Sequence, residues 1–165
     1  MLGRKYRESG FTMIEVMVVA AIIGLMAALA VPSYIRWSAK AGLKKEMTEL
    51  SQNLNLARMA AMSRNSAVTV TLNNNVVDPA DGQAKVTATF SPTVVPPQRM
   101  QGVVTTLANT TPPAGTVPMS ILFSSLGVQL GVNQSFTLTN SSGLVYSAVV
   151  TPTGKVMWCP KSTCP

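Results

Sequence analysis

RESGFTMIEVMVVAAIIGLMAALAV, residues 7 to 31, sets three chemistries side by side. Arg4, Lys5 and Arg7 precede a small residue, Gly10, and an apolar run then begins at Phe11. One carboxylate, Glu15, interrupts that run near its start. As a helix, the twenty residues from Thr12 to Val31 would span about 30 Å, the thickness of a bilayer core. The basic residues on the N-terminal side keep that end in the cytoplasm and export the rest. A carboxylate at the centre of such a helix costs about 3 kcal/mol, and Glu15 stands closer to the edge.

Two processing schemes fit the run. A conventional secretory signal would be cut after the small-residue pattern Ala28-Leu29-Ala30 and discarded. The run is longer than an ordinary signal core, however, and nothing in that scheme needs Glu15. A cut between Gly10 and Phe11 would instead leave the apolar helix on the mature protein.

Beyond the run the composition changes. Hydrophobic residues make up 47% of the 165-residue chain and charged residues only 12%, about half the usual charged share. The C-terminal hundred residues are rich in Thr, Ser, Asn, Val and Pro, which suits an extracytoplasmic surface. The formal net charge is +7, of which the first ten residues carry +2 and residues 33–64 carry +4. The excess thus lies beside the membrane stretch, where anionic headgroups of the lipid bilayer are an ordinary partner. The chain has no His, the commonest general base and metal ligand. Its two cysteines, Cys159 and Cys164, lack the further ligands a zinc site needs. A disulfide in an oxidising compartment is the favoured reading, with free thiols as the alternative; so short a loop would contribute about 2 kcal/mol.

Pro32 lacks an N–H and predicts a local kink. After it Leu43, Met47, Leu50, Leu54, Ala57 and Ala61 recur at alternating spacings of four and three, one apolar helix face that packs into a core. A helix over 12–64 would be about 80 Å long, with Asn65-Ser66 as its stop and Phe11 to Val31 projecting free. From Ala67 the period becomes two. Strands are expected at 68–72, 85–90, 103–108, 118–124, 135–139, 144–150 and 154–158. Asn73-Asn74-Asn75 and Asp78-Pro79-Ala80-Asp81-Gly82 read as turns, and 91–102, with Pro92, Pro96 and Pro97, as a loop. Many short strands separated by turns point to an α+β fold, a long N-terminal helix on a C-terminal antiparallel sheet.

The stretch Gly10-Phe11-Thr12-Met13-Ile14-Glu15-Val16 resembles the type III signal of type IV prepilins and pseudopilins. That resemblance implies a prepilin peptidase cut between Gly10 and Phe11, N-methylation of Phe11, and pairing of Glu15 with the α-amine of a neighbouring subunit. An opposite charge would stabilise a carboxylate in a low-dielectric setting and fix subunit register. A second, looser resemblance lies downstream. Leu56-Ala57-Arg58 through Arg64-Asn65 and Val68-Thr69-Val70, then Ile121-Leu122-Phe123-Ser124-Ser125-Leu126-Gly127, then Gly154-Lys155-Val156, resemble the signature of the GspH/FimT family.

These are minor pilins or pseudopilins at or near a fibre tip, which prime assembly. The organisation so implied is a leader at 1–10, an assembly helix at 11–32, an amphipathic half at 33–64 and a β-rich domain at 65–165. The implied partners are other pilin or pseudopilin subunits, the prepilin peptidase and an inner-membrane assembly platform driven by a cytoplasmic ATPase. The implied location is the bacterial inner membrane, single-pass with the C-terminal domain periplasmic, and then the fibre. No cofactor is expected. The cysteine pair leans toward a type IV pilus, because pilin domains of the family often close with a disulfide.

Some family members bind DNA through a Gly-Arg-x-Arg at the last strand. Here the stretch is Gly154-Lys155-Val156-Met157, so the second basic residue is missing. Lys155, Lys161 and Arg99 are the candidate contacts, and three scattered cations would bind weakly and lose to salt. An enzymatic reading finds no nucleophile motif. Asp78 and Asp81 hint at calcium, but such a turn is expected to be a solvated hairpin tip with no metal.

Overall fold

The computed structural model describes residues 10–100, 104–111 and 117–164. The basic leader residues Arg4, Lys5 and Arg7, and the first residue of the strand expected at 103–108, lie outside them. The chain divides into two compact units, Met1–Trp37 and Ser38–Pro165, and one helix, α1 (Met13–Ser63), contributes to both.

In the first unit the sequence Thr12-Met13-Ile14-Glu15 starts the helix by capping. The amide of Glu15 donates to Thr12 Oγ1 at 3.4 Å and to the Thr12 carbonyl at 3.1 Å, and that of Val16 donates to the same carbonyl at 3.3 Å. Thr12 therefore serves donors that the first helical turn would leave orphaned. Pro32 lies inside α1 and the helix continues through it. The apolar side chains from Phe11 to Val31 are exposed, Phe11 at 80% and Leu29 at 79%.

In the second unit the residues that recur at spacings of four and three are buried. Leu43, Met47, Leu50, Leu54, Ala57 and Ala61 are at most 1% exposed and belong to the hydrophobic core. Burying a Leu or Met side chain stabilises by about 1.5–3 kcal/mol, so this face holds the helix in place. The helix ends where Asn65-Ser66 predicts. Asn65 adopts a φ of 47°; its amide donates to the Met62 carbonyl at 3.3 Å and the Ser66 amide to Ala61 at 3.1 Å. That pair of bonds is a Schellman cap, with Asn as the left-handed residue.

Eight strands follow among the described residues: β1 (Val68–Val77), β2 (Ala84–Ser91), β3 (Gln98–Arg99), β4 (Val104–Asn109), β5 (Met119–Phe123), β6 (Gln134–Asn140), β7 (Val145–Val150) and β8 (Val156–Cys159). They form two antiparallel sheets rather than one, ordered β3-β2-β1-β5 and β4-β6-β7-β8. Val68, Val70 and Leu72 of β1, and Phe136 and Leu138 of β6, fill the core. Alternation sends one side of each strand inward.

Two expectations are corrected. Asn73-Asn74-Asn75 is not a turn; β1 runs through it with a register shift between Asn73 and Val76. The Asn74 side chain explains why the strand continues. Its Nδ2 donates to the Leu107 carbonyl at 2.5 Å and its Oδ1 accepts from the Leu107 amide at 2.8 Å. An asparagine side chain thus acts as a strand partner for β4 and joins the sheets at an otherwise open edge. The stretch 91–102 also contains β3, which is too short for a period to be visible. Gln98 anchors it to α1, accepting from Asn53 Nδ2 at 2.9 Å and donating to the Glu46 carbonyl at 3.4 Å.

Candidate assembly site

Gly10 and Phe11 precede the helix, and a Cβ placed on Gly10 would meet nothing within 4 Å. Packing in this chain therefore does not require glycine there, and any such requirement would come from what binds the segment. Glu15 lies in the first turn of α1 and is exposed, as are its neighbours Ile14 and Val16. The spacing brings Glu15 one helical turn from Phe11. Thr12, the cap of this turn, was not singled out by sequence, although its T-x-x-E spacing is a capping signal.

The three downstream signature elements meet at Arg58. From α1 its Nε donates to the Gly127 carbonyl at 2.7 Å and its Nη2 to the Thr153 carbonyl at 3.0 Å. A planar guanidinium suits two acceptors held at a fixed separation. Both loops are tied to each other as well, since the Gln129 amide donates to the Pro152 carbonyl at 3.0 Å. Gly127 and Gly154 adopt φ values of 71° and 77°, a conformation that other L residues rarely take. A Cβ on Gly127 would also stand 2.6 Å from Met62 Sδ, and one on Gly154 would collide with the Gly127 carbonyl oxygen and Arg58. Conformation demands glycine at both positions, and at Gly154 the backbone of Gly127 leaves no space for a side chain as well.

The turn between β1 and β2 is a hairpin tip with Asp81 exposed, as expected, but Asp78 at its base is not solvated. Asp78 is buried, and Lys85 Nζ sits between the two carboxylates, 2.9 Å from Asp78 and 2.5 Å from Asp81. Arg99 Nη1 adds a contact of 2.6 Å to Asp78. The Lys85 ammonium occupies the place a cation would take between these acids. Its hydrogen bond, followed by that of the Ala80 amide, holds the Asp78 carboxyl below the ordinary aspartate range. Lys85 and then the Gln83 amide do the same for Asp81, and Asp81 and Asp78 together raise Lys85. No cluster of three or more metal-ligating side chains occurs among the described residues.

The candidate DNA contacts stand on separate segments of the chain. Arg99 is engaged with Asp78 on β3, Lys155 precedes β8, and Lys161 lies between the two cysteines. Cys159 and Cys164 are joined by a disulfide with Cα atoms 5.7 Å apart. The Ser147 hydroxyl lies 3.2 and 3.1 Å from the two sulfurs, and Trp158 packs on Tyr146 with ring centroids 5.7 Å apart. A cavity of about 300 Å³ beside this loop is lined by Thr110, Asn133, Ser135, Ser147 and Thr163, polar groups with no acid–base capacity near neutral pH.

Comparison with known proteins agrees with this geometry. Residues 5–31 match the model of the prokaryotic N-terminal methylation motif, and residues 46–154 match that of the type II transport protein GspH. Over 48 residues the chain is 44% identical to the type IV major fimbrial protein FimA of Dichelobacter nodosus, covering 29% of this chain and 31% of FimA. It is 37% identical over 62 residues to the type II secretion system core protein G of Aeromonas hydrophila, covering 38% of this chain and 43% of that protein. The chain thus spans less than half the length of these relatives. Its fold is like that of the type IV minor pilin FimU of Pseudomonas aeruginosa, with a TM-score of 0.51 at 16% identity over 78% of this chain and 96% of FimU. Since the GspH model takes in the last turns of the helix, Arg58 and both clamped loops, and the methylation motif takes in Gly10 through Val31, the chain belongs to the GspH family of pilin-like subunits.

Proposed function

We propose that this chain is a minor pilin of a type IV pilus, a structural subunit and not an enzyme, placed at or near the fibre tip to prime assembly. In this reading it enters the inner membrane with its N-terminus cytoplasmic and its β-domain periplasmic. Prepilin peptidase cuts between Gly10 and Phe11, Phe11 is N-methylated, and the assembly platform extracts the subunit into the fibre. Glu15 pairs with a neighbour's Phe11 amine and sets the register.

The observation that carries the reading is the apolar segment from Phe11 to Val31, exposed along its length and lying within the match to the methylation motif. So much exposed apolar surface needs a bilayer or other subunits to cover it. Mass spectrometry of the mature protein tests the cut: a methylated N-terminal Phe11 is expected, and a start at Val31 would sink the proposal. A second reading, a minor pseudopilin of a type II secretion system, has its own support in the GspH match and the likeness to core protein G. Deleting the gene separates the two, since loss of surface pili with secretion intact favours the pilus.

A further inference from the structure

At the end of the domain where α1 stops, apolar side chains stand exposed on a braced support. Leu126 is 78% exposed and Met59 and Met62 are 52% and 44% exposed. They are contiguous: Met62 lies against Gly127, next to Leu126 in the chain, and Met59 is one turn earlier on the same helix side. The Arg58 clamp holds the Leu126 loop and the Lys155 loop to the helix. Lone exposed apolar residues are ordinary, but a contiguous group on a rigid base marks a binding surface. Methionine suits such a surface because its side chain adapts.

Charge identifies the occupant. Arg64 and Lys155 flank the group and are exposed, and the ion pairs among the described residues involve neither. Over residues 38–165 nine Lys and Arg face four acids, Glu46, Glu49, Asp78 and Asp81. The two Asp are committed to Lys85 and Arg99, Glu46 is buried, and Glu49 stands one helical turn from Lys45 on α1. The β-domain of a second copy therefore offers a cationic surface to a cationic surface, which opposes association. Glu15 of a second copy is committed, under the function proposed above, to the Phe11 amine.

We propose that Met59, Met62 and Leu126, with Arg64 and Lys155 beside them, dock a different fibre subunit whose contact face is apolar at its centre and acidic at its rim. This inference rests on the reading of the chain as a fibre subunit. The test measures the full-length chain in sheared fibres and in membranes for wild type, L126D, the double variants R64E/K155E and R64Q/K155Q, and T106D on exposed β4 as a control. The substituted positions are exposed, and the Cys159–Cys164 bond on a non-reducing gel together with near-UV circular dichroism checks that each variant folds.

L126D and R64E/K155E are expected to stay at wild-type level in membranes and fall at least tenfold in fibres, with R64Q/K155Q losing less and T106D nothing. Incorporation of L126D at wild-type level overturns the surface. Equal losses for charge reversal and neutralisation overturn the acidic partner, and a dimer of the detergent-purified wild type that L126D dissociates overturns the different subunit. Absence of the wild-type chain itself from fibres would sink the proposed function, and this inference with it.

Discussion

Arg58 shows how one side chain can tie sequence-distant segments together. Its two bonds reach 69 and 95 residues along the chain, and both acceptors are carbonyls of tight turns. Hydrogen bonds to a charged donor are worth about 1.5–3 kcal/mol. Arg58→Ala is expected to destabilise the detergent-solubilised chain by about that much, read as a lower urea midpoint by near-UV circular dichroism. Arg58→Lys should recover part of the loss at most, since an ammonium cannot present the same fork; full recovery would mean that the two-point geometry is unimportant. The resemblance to the family singled out Arg58, Gly127 and Gly154 from the sequence. Their meeting was not legible there, because no periodicity relates a helix residue to two distant turns.

At the scale of elements, legibility followed regular spacing. The helix face from Leu43 to Ala61, the stop at Asn65 and most strands were visible because burial imposes a period. The misreadings fell where side chains replace backbone partners. Asn74 looks like turn chemistry until its amide is seen bonding to Leu107 of β4, and Asp78 looks like a hydrated tip until Lys85 and Arg99 close over it. The connection between β1 and β2 is therefore sensitive to acid and to alkali but not to intermediate pH. The Asp78 carboxyl is held below its ordinary value of 3.8, so its contribution is present above that value and is lost as pH falls through the lowered one. Lys85 is raised above 10.5, so its contribution is present below that value and is lost as pH rises through the raised one. For Asp78→Asn, the urea midpoint should fall relative to wild type at pH 7, and the difference should shrink as pH drops below 3.8. A difference that stays constant down to pH 2 would show that the carboxylate's charge contributes nothing.

For the molecule as a whole, the proposed function asks the same few residues to serve a membrane and then a fibre, and Glu15 separates the two. Removing a carboxylate from an apolar helix lowers the cost of insertion, by about 3 kcal/mol at a bilayer centre and less near its edge. Glu15→Ala should therefore reach the membrane at least as well as wild type. Glu15 also lies on the far side of Phe11 from the Gly10 cut, so cleavage and methylation should proceed. In the proposed fibre the carboxylate faces a neighbour's Phe11 amine in a dry setting, where losing one partner of an ion pair is strongly destabilising, by about 3–5 kcal/mol. Membrane levels and the mass of the mature N-terminus should then be unchanged while the amount in sheared fibres falls about tenfold or more. Glu15→Gln keeps the shape and removes the charge, and it should fail as Glu15→Ala does. Normal incorporation of either variant would mean that Glu15 is merely tolerated in the helix and that subunit register is set elsewhere.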